Sequence, residues 1–99
     1  MYYVIPIVQV ERDIGPVQCA VHNIGANIGQ VSIFDTTTRV YSKVWEMAAL
    51  SAFLFGREVS RHMVRRGEGT IILTGATASL RGAVGHSAFS SAMASIDLT

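Results

Sequence analysis

Metal binding, thiol chemistry and acyl transfer each need particular residues at particular spacings, and this chain of 99 residues offers few of them. Its three histidines, His22, His62 and His86, share no ligand spacing with one another or with Cys19. They are expected to be structural or solvent-exposed rather than zinc ligands. Cys19 is the single cysteine, so no internal disulfide can form. Its apolar setting, Val17 to Val21, predicts a buried core thiol rather than a reactive one. Ser79, Ser87, Ser90, Ser91 and Ser95 gather near His86, but no G-x-S-x-G turn presents any of them as a nucleophile. No G-x-G-x-x-G occurs, so no stretch has the glycine spacing that seats a dinucleotide pyrophosphate on a helix N-terminus. The basic stretch from Arg57 to Arg66 reads as the solvated end of a helix, and Trp45 as a core or interface residue.

Composition narrows the classes further. Hydrophobic residues make up 49% of the chain, which argues against disorder. The formal net charge is +1 with both signs mixed, so neither nucleic acid nor an acidic membrane surface is an expected partner. A chain this short makes one small domain, residues 1–99, able to bury about 60–65% of its unfolded surface. The opening residues carry no basic leader, and Glu11, Arg12 and Asp13 follow too soon for a membrane span. A cytoplasmic location is the expectation.

The elements that must position any site can be read from periodicity. Ile5 to Ile14 reads as a short helix, with Pro6 in its first turn and Gly15-Pro16 as its stop. Val17 to Asn23 reads as a strand, with Val17, Cys19 and Val21 on one face and Gln18, Ala20 and His22 on the other. Gly25 to Ser32 is a loop. A long helix follows over residues 38–65, with Asp35 and three threonines as candidate N-caps. Val40, Val44, Met47/Ala48, Ala52, Phe55, Val59 and Met63 form its apolar stripe, and Trp45, Ala49 and Phe53 form a second. The first stripe suits a sheet; the second needs another helix or another subunit. Gly67 ends the helix after a basic last turn. Thr70 to Leu73 reads as a buried parallel strand, Gly75 to Gly85 as a loop, and Ser87 to Leu98 as a helix apolar at Phe89, Met93 and Ile96. A strand, a long helix and a second strand call for a parallel pair with a right-handed crossover, hence an α/β unit.

In this order the landmarks resemble the central part of a short-chain dehydrogenase/reductase. His22-Asn23-Ile24-Gly25 resembles that family's Asn-Asn-Ala-Gly signature after its fourth strand. Ala52 to Met63 is similar to the long interface helix, Gly67 to Leu73 to the turn and fifth strand, and Gly82 to Ala94 to the approach to the catalytic helix. The resemblance implies a partial Rossmann-like, doubly wound unit, helix-strand-helix-strand-helix, without the family's first strand, its Gly-rich turn and its C-terminal part. The strand at Val17 to Asn23 would lie between that first strand and Thr70 to Leu73, with all three helices on one side. The other face would then expose part of the set Val17, Cys19, Val21, Ile71 and Leu73.

The family's chemistry can be carried over position by position. Its proton-transferring tyrosine falls on Phe89, and the lysine four residues later falls on Met93. Its asparagine falls on Ala48 and its serine on Ala76, with Thr77 or Ser79 as alternative serine equivalents. Asn23 and Gly25 would border the ribose of the family's NAD or NADP, although no cofactor is expected to bind this chain alone. The expectation is therefore a truncated or degenerate member without independent oxidoreductase activity. The alternative is a non-catalytic module that pairs with itself, or with a full-length homologue, through the helix at 38–65.

Overall fold

The computed structural model describes residues 4–24, 28–82 and 84–97. Helix α1, Val4–Asp13, ends where the N–H groups of Ile14 and Gly15 both turn back to Val10 O. Strand β1, Cys19–His22, follows. Of the candidate caps, Thr37 is the one used: its hydroxyl accepts the Val40 N–H at 3.1 Å, satisfying a donor that α2, Thr38–Trp45, leaves open. The long helix then continues through a π-turn, Glu46–Leu50, into α3, Ser51–Arg66. Gly67 stops it in the left-handed conformation, φ 75°, and its N–H returns to Met63 O and Val64 O. Strand β2, Thr70–Leu73, a 3₁₀ turn, Thr77–Ser79, and helix α4, Ser87–Asp97, complete the order.

The two strands pair in parallel, Cys19 opposite Thr70 and His22 opposite Leu73. This register places Ala20, His22, Ile71 and Leu73 on the face that the helices cover, and Cys19, Val21, Thr70 and Ile72 on the other. Ala20 and His22 are buried, whereas Val21 is 56% exposed and Ile72 48%. Cys19 is thus an exposed thiol, not the core thiol that its apolar setting predicts. The reason lies in helix approach. Val59 and Met63 of α3 pack directly on Ala20, and the small side chain lets them come close; the bulkier Val21 points to the face that the described residues leave uncovered. For the same reason Val17, Ile71 and Leu73 are half-buried on the helix side, and of the expected exposed set only Cys19 and Val21 face outward.

The core has two centres strung along the long helix. Val59 and Met63 meet Ala20 at one end; Val44, Ala48 and Ala52 meet Ala88, Ala92 and Met93 of α4 at the other. One unbroken helix cannot serve both. At about 100° per residue, the nineteen residues from Val44 to Met63 would leave them about 100° apart around the axis, and the extra residue of a π-turn restores one line. The second stripe divides as well. Ala49 is buried, while Trp45 and Phe53 stay partly exposed, and the Trp45 indole N–H donates to Ser95 Oγ of α4 at 3.2 Å.

The basic end of α3 is only partly solvated. Arg66 turns back to the carboxylate of Glu11 on α1 and to Val17 O ahead of β1. Glu11 also accepts the Val17 N–H at 2.6 Å and has His62 Nδ1 at 3.4 Å. One carboxylate thereby joins α1, the entry to β1 and the end of α3. Burial pushes its pKa up, but the hydrogen bonds from Arg66 and Val17 and the charges of Arg66 and His62 outweigh that and hold it below the usual glutamate value.

Candidate functional site

The strands end at His22 and Leu73, and the loops that follow them are tied together. Val31 bridges to His86, and its N–H donates to Gly85 O at 2.8 Å. Open α/β sheets take their ligands at this carboxyl end of the strands. Asn23 is exposed there, directly after β1. Gly25, the second candidate for the ribose, lies outside the described residues.

The positions singled out for catalysis do come together. Ala48, in the π-turn, is fully buried, and Met93, on α4, is 4% exposed; both belong to the cluster of Val44, Ala52, Ala88, Ala92 and Ile96. Phe89, Ala76 and Leu73 pack against its rim. Every one of these side chains is apolar. General acid–base catalysis needs a titratable group within hydrogen-bond reach, and neither Phe89 nor Met93 supplies one. The alternative serine equivalents are turned elsewhere. Ser79 Oγ donates to Ala76 O at 2.8 Å, and Thr77 is exposed at the start of the 3₁₀ turn, where its carbonyl receives Leu80 N and Arg81 N. The hydroxyls of Ser91 and Ser95 bond carbonyls of their own helix, Ser87 O and Ser91 O. Among the described residues no group of three or more His, Cys, Asp or Glu could hold a metal ion.

Sequence reasoning missed one polar pair. His22, 3% exposed, places Nε2 at 3.0 Å from Ser51 Oγ and packs its ring on Phe55, centroid to centroid 5.3 Å. Ser51 Oγ donates to Met47 O at 2.5 Å, and with its hydrogen directed there the hydroxyl accepts from His22 Nε2 in the tautomer that carries the proton on that atom. Burial holds the His22 pKa below its ordinary value and favours the neutral ring. Strand alternation already set His22 beside Ala20; what hid the pair is that its partner, Ser51, stands 29 residues away in the chain.

The short chain dehydrogenase family model matches residues 6–98, and the chain belongs to that family. The crystal structure of a short-chain dehydrogenase from Rhodopseudomonas palustris is 42% identical and superposes with a TM-score of 0.87 over 96% of this chain and 44% of that one. A halohydrin dehalogenase bound to ethyl (2S)-oxiran-2-ylacetate is 26% identical, with a TM-score of 0.90 over 96% of this chain and 38% of that one. NAD⁺-bound xylitol dehydrogenase, 22% identical, shares the fold with a TM-score of 0.89 over 94% of this chain and 36% of that one. The chain therefore spans less than half the length of these solved structures. No curated protein matches its sequence. The α/β architecture with its parallel strand pair is that of a partial Rossmann-like unit. Among the described residues no helix is long and apolar enough to cross a membrane.

Proposed function

We propose that this chain is a degenerate short-chain dehydrogenase unit without oxidoreductase activity of its own, a single partial domain over residues 1–99. The observation that carries this reading is the apolar cluster: the positions taken as those of the family's tyrosine, lysine, asparagine and serine are Phe89, Met93, Ala48 and Ala76, gathered around one core. A phenyl ring exchanges no proton with an alcohol or carbonyl, and a thioether supplies no positive charge to lower a phenol pKa. Relatives of this fold include an NAD⁺-bound dehydrogenase. By resemblance Asn23 and Gly25 would border such a cofactor's ribose, and the reading has no NAD or NADP bound by this chain alone. The location it carries is the cytoplasm. The purified chain should neither oxidise nor reduce NAD(P) with a panel of alcohols and ketones. Turnover above that of a heat-treated control overturns the reading.

A second observation favours an association role. Trp45 and Phe53 keep 40% and 48% of their surface exposed on the long helix, and Val21 and Ile72 add an open sheet face. Large apolar side chains grouped in this way mark interaction surfaces. The reading is a non-catalytic module that meets a second copy, or a full-length homologue, through the helix at 38–65. Sedimentation across a range of concentrations tests it: Trp45→Glu and Phe53→Glu should weaken association, and a parent chain monomeric throughout, alone and mixed with a full-length homologue, rules it out.

A further inference from the structure

We propose that His22 and Ser51 are positioning residues that hold the π-turn between α2 and α3, and through it set which face of the Trp45-bearing half of the long helix meets α4. In a regular α-helix the Ser51 N–H would bond Met47 O, four residues back. Here it reaches Glu46 O and Ala48 O instead, and the carbonyl it passes over accepts Ser51's own hydroxyl at 2.5 Å. A serine hydroxyl has one hydrogen and two lone pairs. With the hydrogen given to Met47 O, the oxygen accepts from His22 Nε2 at 3.0 Å. The backbone of His22 is fixed by pairing with Leu73, and its ring lies on Phe55, one turn beyond Ser51. The last residue of β1 thus grips the long helix at the turn where its phase changes.

That phase decides the packing on both sides. Val44 before the turn, Ala48 within it and Ala52 just after it pack with α4, whereas Val59 and Met63, two turns further on, pack on β1. Without the hydroxyl, residue 51 is free to return its N–H to Met47 O in plain α geometry. In that alternative state, which loss of the hydroxyl makes more populated, α2 is rotated by about 100° relative to α3. The rotation carries Val44 and Ala48 away from Ala88 and Ala92, and it parts the Trp45 indole from Ser95 Oγ. The inference rests on these contacts alone and holds whether or not the helix face binds a partner.

The test uses the whole chain, with its single tryptophan, Trp45, as reporter. Ser51→Ala should shift Trp45 emission to the red and speed amide exchange in residues 46–52 by about three- to tenfold, the equivalent of one lost hydrogen bond, with little change in far-UV helix signal. Ser51→Thr keeps the hydroxyl and should restore the parent emission. His22→Phe keeps the ring contact with Phe55 but lacks the donor, and should behave as Ser51→Ala does. Exchange raised evenly along the chain, with no rescue by threonine, would reduce the pair to general packing and overturn the proposal, as would parent emission and exchange in Ser51→Ala. Should Ser51→Ala fail to fold, His22→Phe decides on the same two readouts.

Discussion

Gly69 links the cap of α3 to the first residue of β2, and Gly69→Ala should be among the most destabilising single-methyl additions to this chain. Its φ is 145°, a backbone conformation that L side chains rarely adopt. A Cβ built there would stand 2.4 Å from Met63 Sδ, 2.5 Å from Cγ and 3.0 Å from Cβ. Met63 cannot simply swing aside, since it is 6% exposed and wedged against Val59 and Ala20. The backbone contribution is about 1–3 kcal/mol, and forced overpacking adds about 1–3 kcal/mol more. Gly67→Ala supplies the control. That residue also has positive φ, 75°, but nothing lies within 4 Å of its Cβ, so it should lose only the left-handed cost of about 1–2 kcal/mol. Urea titration followed by circular dichroism measures both. A chain of this length changes its melting temperature by roughly 4–8 °C per kcal/mol, so the two variants should separate clearly in a thermal scan as well. Pairing Gly69→Ala with Met63→Ala should recover the overpacking part and leave the backbone part. If Gly69→Ala proves no worse than Gly67→Ala, the Met63 contact is not where the structure puts it.

Three further outcomes are expected. Phe89→Tyr with Met93→Lys, the change that rebuilds the family's pair, should unfold the chain rather than activate it: an ammonium at a 4%-exposed site in a wholly apolar cluster costs on the order of 3–5 kcal/mol, and a folded, active double variant would refute the apolar-core reading. Stability should fall with acid in two steps. The first begins as pH drops below about 6.5, where the unfolded chain binds a proton that buried His22 refuses. The second begins near 4.5, because the carboxyl of Glu11 is held below its ordinary value and its contribution, present above the unfolded pKa, is lost as pH falls through the folded one. Glu11→Gln should shrink the second step and keep the first, as read from urea midpoints across pH; Asp13, held low by Arg12, supplies what remains of it. Cys19, exposed on the open face, should react with Ellman's reagent within about tenfold of its unfolded rate; much stronger protection would mean that this face is covered in solution.

Some of this architecture is legible in residue types because local chemistry decides it. Gly67 after Arg65-Arg66 marks the helix end, and Thr70 to Leu73 is a strand with the expected limits. The expected helix at Ile5 to Ile14 and strand at Val17 to Asn23 come out as Val4–Asp13 and Cys19–His22. Sheet facing is another matter. Alternation separates Cys19 and Val21 from Ala20 and His22, but which pair is buried depends on where α3 lands, and on the need for a small residue beneath Val59 and Met63. The π-turn did leave a trace. Val40, Val44, Ala48 and Ala52 recur every four residues, a spacing that drifts by about 40° per step in a plain α-helix. Arg66 reads as a solvated charge because its partner, Glu11, stands 55 residues away in the chain.

The pairing of β1 with β2 also constrains how the chain reaches this state. Cys19 and Thr70 are adjacent in the sheet yet lie fifty-one positions apart in sequence. Closing a flexible segment of that length costs about 3.5 kcal/mol in chain entropy alone, more than four paired residues can readily return in water. Once Thr38–Arg66 is helical it behaves as a stiff strut, and the flexible length left to close is shorter. The strands should therefore meet late, at a rate set by the helix between them. A glycine placed on the solvent side of α3, far from either strand, should slow their meeting as surely as a change in the strands themselves.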